Sequence, residues 1–333
     1  MTRTLLPVQH HPGRHCASTA LCNMVNFHRI PFTEAMCFGI GAGLGIWYID
    51  TGPVTPGRMV HVRSADIEAQ FFDRMGCPLT WQQFTNPMDA QKALCNNLDN
   101  GLPVIVQTDI YYLPYYGSKT HFPGHDIMMW GYDDTDGIFF ITDTERVDLL
   151  SVSFDAMRRA IYSRGGFFTM KGNQFSPKKL ALPEDLSEVI SRAIAHNSRV
   201  ILSEDHGFQG ILGLEKWSQE ILDVWPNLPD PQWTARFAYQ NIERRGTGGG
   251  GFRLMYADFL KEAQAYCPEI ASRGLSRAMY EIGGAWTVLA LSLKDVSEQE
   301  RPDFSSVIEP LCRVTRLEAA YHREARSLGD GRA

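Results

Sequence analysis

The apolar residues of this chain follow one pattern up to about Lys171 and a different pattern beyond it. In the first part, helix-like runs at 16–28, 65–75 and 87–97 come before strand-like runs at 103–107, in a hairpin over 124–143, and at 166–170. Beyond residue 185, nearly every segment has the spacing of an amphipathic helix. This order predicts an α+β fold, in which early helices and a late antiparallel sheet form the first domain and a mainly α-helical domain follows.

A stretch rich in proline and lysine separates the two patterns, with Pro177, Lys178, Lys179 and Pro183 inside it. Such a composition is typical of a linker. We therefore expect a first domain over residues 1–171, a linker over 172–184 and a helical domain over 185–328. A chain of 333 residues is long enough for two domains that each bury a core.

The composition argues against several classes of protein. Hydrophobic residues make up 44% of the chain and charged residues 21%, which is typical of a globular protein, and the net charge of -6 gives no reason to expect nucleic-acid binding. No segment has the unbroken apolar length of a membrane span, and Pro7 interrupts the N-terminal run too early for a signal peptide. We expect a soluble cytoplasmic protein.

The cysteine content argues against a disulfide framework and against a structural zinc site. The chain has seven cysteines, an odd number, and they form no CxxC pair. We expect neither a bound metal nor a bound cofactor.

Cys16 follows a Pro-Gly turn at the start of the first predicted helix. The unpaired N–H groups and the positive end of the helix dipole at such a place favour the thiolate over the thiol. A buried structural cysteine fits the same position, since free cysteine often packs as a small hydrophobe. A nucleophilic Cys16 would also need a base, which must come from elsewhere in the chain.

A histidine and an aspartate lie close together across the predicted hairpin. If residues 133–137 form its loop, Tyr132 lies opposite Ile138 and Ile127 lies opposite Asp143. His125 and Asp143 are then diagonal neighbours on one face of the sheet, so that the carboxylate can orient the imidazole.

Three alternatives to this pair stay open. Glu145, directly opposite His125 in that register, is the spare carboxylate, and His121 is the second candidate base. His125 and Asp143 are also compatible with a sheet histidine and a strand-end cap that have no chemical role.

Other residues in the first domain are candidates for an oxyanion site or a pocket wall. His10 and His15 precede Cys16 and could donate to an oxyanion. Gly41 and Gly43 belong to the segment 39–45, which lacks the Lys-Ser/Thr pair of a phosphate loop and is expected to line the pocket instead. The aromatic run 111–116, with Tyr112 and Tyr115, could line a substrate channel or only cover the edge of the sheet.

A second glycine-rich segment, residues 245–253, precedes a predicted helix in the second domain. The backbone N–H groups of Gly248 and Gly249, together with Arg253, could hold a phosphate or a carboxylate. A flexible connection between two helices explains the same composition.

Several of these segments, in this order, resemble the N-terminal domain of the butirosin biosynthesis protein H family: residues 11–21, 38–45, 109–115 and 121–134. Behind them, residues 246–260 resemble the helical domain that accompanies it, which adds Tyr256 to the candidates for substrate binding. The resemblance covers most of the chain, and the motifs are specific in combination.

The resemblance implies a papain-like cysteine fold that carries out acyl transfer. An acyl group would arrive as a phosphopantetheinyl thioester on an acyl or peptidyl carrier protein, move to a cysteine, and pass to an amine of a small natural product. On the matching positions, Cys16 is the nucleophile, His125 the base and Asp143 the orienting carboxylate. The chain departs from the papain-like pattern before the cysteine, because His10 stands where a glutamine is usual and Gln9 is offset by one residue.

We therefore predict a cysteine-dependent acyltransferase or amide synthase of secondary metabolism. A cysteine hydrolase that uses the same three groups is the first alternative, and a non-catalytic binding module is the second. The sequence is compatible with an oligomer. Basic residues near the domain junction could dock an acidic carrier protein or could simply be a solvated face: Arg158, Arg159, Arg164, Lys171, Lys178 and Lys179.

Overall fold

The computed structural model describes residues 2–165 and 169–328 and divides into two compact units. The first unit comprises Met1–Cys37 and Phe72–Pro183, and the second comprises Phe38–Phe71 and Glu184–Ala333. Residues 38–71, which the sequence pattern places in the first domain, therefore pack with the second unit.

The helices, in chain order, are α1 (Cys16–Phe27), α2 (Glu34–Ile40), α3 (Ile67–Arg74), α4 (Pro87–Asp99), α5 (Phe154–Ile161), α6 (Leu186–Leu202), α7 (Gly210–Glu220), α8 (Pro231–Glu243), α9 (Arg253–Ala263), α10 (Pro268–Ser272), α11 (Leu275–Ser297) and α12 (Ile308–Ala325). Side chains fix several of the starts: Asn86, Ser153 and Asp185 each accept a backbone N–H in the first turn of α4, α5 and α6. In the described part of the chain, none of these helices has the length and apolar character needed to cross a membrane.

The strands are β1 (Arg3–Leu5), β2 (Leu44–Asp50), β3 (Arg58–Arg63), β4 (Val104–Asp109), β5 (Pro123–Asp133), β6 (Ile138–Thr142), β7 (Leu150–Ser153) and β8 (Gln174–Phe175). Six of them form an antiparallel sheet in the order β7-β6-β5-β4-β8, with β1 paired to the end of β5. β2 and β3 form a separate hairpin. The α+β fold class, with sheets early and helices late, is thereby confirmed.

Beyond a bulge, the β5–β6 hairpin has the predicted register, but the sequence did not indicate the bulge. The loop is one residue shorter than expected, so that Asp133 lies opposite Ile138 and the predicted pairing of Tyr132 with Ile138 is wrong. A bulge between Met129 and Gly131 then shifts the register by one residue. Met128 consequently lies opposite Thr142, which is the predicted alignment, and His125 and Asp143 come out on the same face.

Gly131 lets β1 approach β5. A Cβ atom at this position would lie 2.2 Å from the carbonyl oxygen of Thr4, so any larger residue would push β1 away from the sheet.

Helices cover the sheet of the first unit. Leu94 and Leu98 of α4 and Met157 of α5 belong to one buried cluster with Val106 and Ile127 of the sheet. α1 contacts β5, where the ring centroids of Phe27 and Trp130 are 6.0 Å apart. This packing holds α1 and β5 together in the first unit.

In the second unit, α11 is the central helix and packs against α8, α9 and α12. The β2–β3 hairpin packs against α7 and α8 because its aromatic residues find partners there: Tyr48 stacks on Trp217 at 6.0 Å and donates to Glu220 at 2.7 Å. These contacts explain why residues 38–71 join the helical unit.

Two local predictions differ from the structure. The predicted linker contains β8, which pairs with β4 and extends the sheet, so residues 174–175 are part of the folded unit. Of the strand predicted at 166–170, residues 166–168 lie outside the described residues, and Thr169 and Met170 are not in a strand.

Candidate functional site

Cys16 is the first residue of α1 and is half-buried. His15 caps this helix, since its Nδ1 accepts a hydrogen bond from the backbone N–H of Ser18 at 3.3 Å. The Cys16 sulfur therefore lies at the end of α1 where the helix dipole is positive, which favours a thiolate. His15, a candidate oxyanion donor, has a helix-capping role here.

A carboxylate that the sequence did not single out fixes the turn before α1. One oxygen of Glu34 accepts from the backbone N–H of His15 at 2.8 Å and from the hydroxyls of Ser18 and Thr19 at 3.0 and 3.1 Å. Gly13 is needed in this turn because a Cβ atom there would lie 2.2 Å from the Thr19 hydroxyl oxygen. The only signal for Glu34 in the sequence is its place at the start of α2.

His125 and Asp143 form a buried hydrogen-bonded pair. Nε2 of His125 lies 2.8 Å from Oδ1 of Asp143, and the two residues are only 6% and 1% exposed. The imidazole donates its Nε2–H to the carboxylate, which fixes the orientation of the ring. Glu145, the spare carboxylate, is exposed on the surface.

Further hydroxyl groups hold the Asp143 carboxylate. Tyr115 donates to Oδ2 at 2.6 Å, and Thr144 donates to Oδ1 at 2.8 Å. Burial alone would raise the pKa of Asp143, but the charge and hydrogen bond of His125 and these two hydroxyls hold it below its usual value. Tyr115, a candidate for a pocket wall, thus orients the carboxylate, and its place in a pocket stays a prediction.

Cys16 interacts with His125 through its sulfur. Burial, the largest single influence, lowers the pKa of His125, but the charge and hydrogen bond of Asp143, together with a hydrogen bond and the charge of Cys16, raise it to about 10. The imidazole is therefore held in its protonated form at neutral pH, beside the sulfur. Cys16, His125 and Asp143 are brought together although they are far apart in sequence.

The segment before α1 is tied to the loop that follows Asp143. The backbone N–H of Gly13 donates to the carbonyl oxygen of Thr144 at 2.9 Å, and His10 Nε2 lies 2.6 Å from the carbonyl oxygen of Arg146. His10 Nδ1 in turn accepts from Asn23 of α1 at 2.9 Å. Both ring nitrogens of His10 are thus engaged in structural hydrogen bonds, a geometry that disfavours its predicted role as an oxyanion donor.

A second histidine and aspartate pair lies at the end of β4. His121 Nδ1 is 2.7 Å from Oδ2 of the buried Asp109, and the His121 ring stacks on Tyr111 with a centroid distance of 4.1 Å. Asp109 also accepts the backbone N–H groups of Tyr111 and Phe122 at 3.1 and 2.9 Å. The His121–Asp109 pair therefore holds the segment before β5 in place. Cys16 forms its hydrogen bond with the other histidine, His125.

Gly41 and Gly43 lie in the second unit, in the tight turn between α2 and β2. The N–H of Gly43 donates to the carbonyl oxygen of Phe38 at 3.0 Å, and a Cβ atom at Gly43 would lie 2.5 Å from the Phe38 ring. These contacts explain why a glycine is needed at position 43. That Gly41 and Gly43 line a pocket stays a prediction.

Arg253 does not offer its guanidinium to a substrate. It is fully buried, and its Nε donates to Glu318 at 2.7 Å while Nη1 and Nη2 donate to the carbonyl oxygens of Val62 and Gly45 at 2.9 and 3.2 Å. The expectation of anion binding at Arg253 is therefore corrected: its partner is an internal carboxylate, because a buried cation needs one close by.

The other candidates of this segment also have internal roles. Gly248 and Gly249 adopt φ of +70° and +87°, which favours glycine, and the N–H of Gly249 donates to the Thr247 hydroxyl at 3.1 Å. Tyr256 is 1% exposed and packs edge-on against Phe259. Among residues 2–165 and 169–328, no group of three or more His, Cys, Asp and Glu side chains could hold a metal ion.

The chain matches two family models along most of its length. Residues 15–144 match the family described as butirosin biosynthesis protein H, N-terminal. Residues 155–325 match a domain of unknown function (DUF4872). A comparison with curated proteins gave no match. The first match contains Cys16, His125 and Asp143, and the chain therefore carries an N-terminal domain of the butirosin biosynthesis protein H family, followed by a DUF4872 domain.

Proposed function

We propose that this protein is a cysteine-dependent acyltransferase that forms amides, with Cys16 as nucleophile, His125 as acid and base, and Asp143 as the group that orients His125. The observation that carries the proposal is the buried His125–Asp143 pair at 2.8 Å, on which the Cys16 sulfur also acts. A thiol at a helix start, beside a protonated imidazole held by a carboxylate, is the arrangement that activates cysteine for covalent catalysis.

In the first half-reaction, the Cys16 thiolate attacks the carbonyl carbon of an acyl thioester. The bond from the carbonyl carbon to the donor sulfur breaks, and the donor leaves as a thiolate that takes a proton from the His125 imidazolium. The products are an acyl-Cys16 thioester, a free donor thiol and a neutral imidazole. Exchange of one thioester for another needs neither ATP nor a metal ion.

In the second half-reaction, an amine attacks the acyl-Cys16 carbonyl. The carbon–sulfur bond breaks, Cys16 returns as a thiolate, and His125 accepts the proton that the amine nitrogen loses. The products are an amide and the initial thiolate–imidazolium pair. The reaction is downhill because an amide is more stable than a thioester.

The substrate class rests on the family. Its name refers to the biosynthesis of butirosin, a natural product, and we propose that this chain likewise acts in secondary metabolism. The acyl donor would be a phosphopantetheinyl thioester on an acyl or peptidyl carrier protein, and the acceptor a small amine. We also propose a place in the cytoplasm, where the Cys16 thiol would stay reduced.

The proposal is tested by the mass of the intact protein after mixing with a panel of acyl-phosphopantetheine thioesters. We expect one acyl group per chain, absent from Cys16→Ala and retained in the matched control Cys312→Ala, which removes an exposed cysteine. Addition of an amine should convert the adduct to an amide. An adduct that persists in Cys16→Ala, or no adduct with any acyl group, would contradict the proposal, and rapid release of free acid would indicate a hydrolase.

A further inference from the structure

A cavity of about 480 Å³ opens in the first unit. Two chain segments form its wall, the turn after β4 and the last part of α5. Its lining includes Tyr111, Tyr112, Leu113, Pro114, Lys119 and Arg159. A second cavity of about 370 Å³ shares Tyr112 and Arg159 with the first and adds Arg158 to the lining.

The charge of this lining is positive. The residues that line the two cavities include three cations, Lys119, Arg158 and Arg159, and one carboxylate, Asp155, which lies 2.9 Å from Arg159 and 3.7 Å from Arg158. Within residues 2–165 and 169–328, Lys119 has no ion-pair partner. One acid among three cations leaves an excess of about two positive charges, which suits a phosphate group.

The remaining lining suits a chain of methylene groups and amides. The rings of Tyr111 and Tyr112 are in edge-to-face contact at 5.0 Å, and Leu113 and Pro114 add apolar surface. Tyr112 also lies under the Arg159 guanidinium, 6.0 Å from its central carbon. Aromatic walls with hydroxyl groups can pack against an alkyl chain and still bind its amides.

The cavity and the candidate catalytic pair share one short segment of chain. Tyr112 lines the cavity, and Tyr115, three residues later, donates to Asp143 at 2.6 Å. Three residues of extended chain span at most about 10 Å. The cavity wall and the residue that holds Asp143 therefore belong to one short stretch of the first unit.

We propose that this cavity binds the phosphate of a phosphopantetheinyl thioester, with Arg159 and Lys119 as its cations and the tyrosine wall beside the pantetheine chain. This inference rests on the proposed function and specifies how the donor is recognised. The phosphate can come from a carrier protein's arm or from coenzyme A, which carry the same group.

The test compares rates of Cys16 acylation by an acyl-phosphopantetheine and by the same acyl-pantetheine, which lacks the phosphate. For the wild-type protein we expect the phosphate to raise the rate at low donor concentration about tenfold or more, because a charge-assisted hydrogen bond is worth about one to two factors of ten. In the double variant Arg159→Gln/Lys119→Gln the ratio of the two rates should fall toward one. Equal rates in the wild type, or an unchanged ratio in the double variant, would overturn the inference.

Arg192→Gln is the matched control. Arg192 pairs with Glu188 at i,i+4 spacing with side-chain exposures of 75% and 61%, close to the 60% and 66% of Arg159 and Asp155. We expect this variant to keep the wild-type ratio, and a loss as large as in the double variant would show a nonspecific charge effect and refute the site.

Binding is measured separately with phosphopantetheine and the Cys16→Ala protein, by calorimetry. Phosphopantetheine should bind, pantetheine should bind at least about tenfold more weakly, and the Arg159→Gln/Lys119→Gln change should abolish the difference. No difference would refute the phosphate site even if acylation occurs, whereas binding without acylation would refute the proposed function alone. Faster acylation by the carrier-bound donor than by acyl-coenzyme A would identify the carrier as the source, and equal rates would identify the shared arm as sufficient.

Discussion

Replacement of Asp143 by asparagine should lower the pKa of His125 from about 10 to near or below 6.5. Burial favours the neutral imidazole, and it is chiefly the negative charge of Asp143 that outweighs burial in the folded protein. Asparagine has nearly the same shape and can still accept the Nε2–H at its amide oxygen, but it has no charge. The variant therefore isolates electrostatics from packing.

The size of the effect follows from the shift. A pKa raised from 6.5 to about 10 corresponds to about 5 kcal/mol in favour of the imidazolium, since each pKa unit is worth about 1.4 kcal/mol. Most of this stabilisation should disappear in Asp143→Asn, because Cys16 supplies only the smaller remaining part. At pH 7, His125 would then be largely neutral, and the acylation rate of Cys16 should fall about 10²-fold or more, the range of general acid–base assistance.

The assay is an NMR titration of the histidine ring signals in the wild type, in Asp143→Asn, and in the control Glu145→Gln. Glu145 is an exposed carboxylate two residues further along the chain, so its removal changes the net charge equally but should leave the pKa of His125 near 10. A His125 that still titrates near pH 10 in Asp143→Asn, or that shifts as much in Glu145→Gln, would refute this account of the pair.

Three further predictions concern single groups. Tyr115→Phe removes the 2.6 Å hydrogen bond to Asp143 and should lower the free energy of unfolding, measured by urea denaturation, by about 2 kcal/mol. It should also move the acid limb of the pH profile of Cys16 acylation to higher pH. An unchanged pH profile would show that Tyr115 does not position Asp143. Glu318→Gln leaves the buried Arg253 cation uncompensated and should lower the free energy of unfolding by about 3 to 5 kcal/mol. The double variant Glu318→Gln/Arg253→Met should recover part of this stability. An unchanged free energy of unfolding in Glu318→Gln would contradict the buried ion pair. Urea unfolding measured across pH should show two losses of stability. The first occurs as pH falls from 4.5 toward 2, because the Arg253 cation and hydrogen bonds hold the pKa of Glu318 at about 2 against the effect of burial, and the second occurs as pH rises from 6.5 toward 10, because the pKa of His125 is raised in the folded state. Constant stability in either range would count against the corresponding group.

The pairing of His125 with Asp143 could be predicted from the sequence for a partly fortuitous reason. The alternation of apolar residues and the Asp-Gly turn identify a hairpin, but they do not show where a bulge lies. The error of one residue at the loop is cancelled by the bulge at Trp130. The alternation of apolar residues shows which residues share a face of the sheet only within a stretch that contains no bulge.

The surroundings of the pair could not be predicted in the same way. Tyr115 and Glu34 act through hydrogen bonds between segments distant in sequence, and no local spacing reports such a bond. The sequence places His10 and His15 close to Cys16, but one ring nitrogen of each makes a hydrogen bond that fixes the backbone. Proximity to a nucleophile in sequence therefore indicates location better than role.

Arg253 illustrates the limit for a charged residue beside glycines. A glycine-rich turn before a helix is a common anion site, and the sequence alone cannot distinguish a substrate anion from Glu318, 65 residues away. The apolar positions that bury this pair are spread over α9, α11 and α12, so only the tertiary packing identifies it as internal.

The most direct test of a reactive Cys16 compares the seven cysteines under limiting iodoacetamide at pH 7, with peptide mapping of the modified sites. Cys312 is exposed and Cys16 is half-buried, so accessibility alone would favour Cys312. The helix dipole and the His125 imidazolium should reverse that order and make Cys16 the first residue to be modified. Modification of Cys312 ahead of Cys16 would contradict the central claim that Cys16, His125 and Asp143 form one reactive unit.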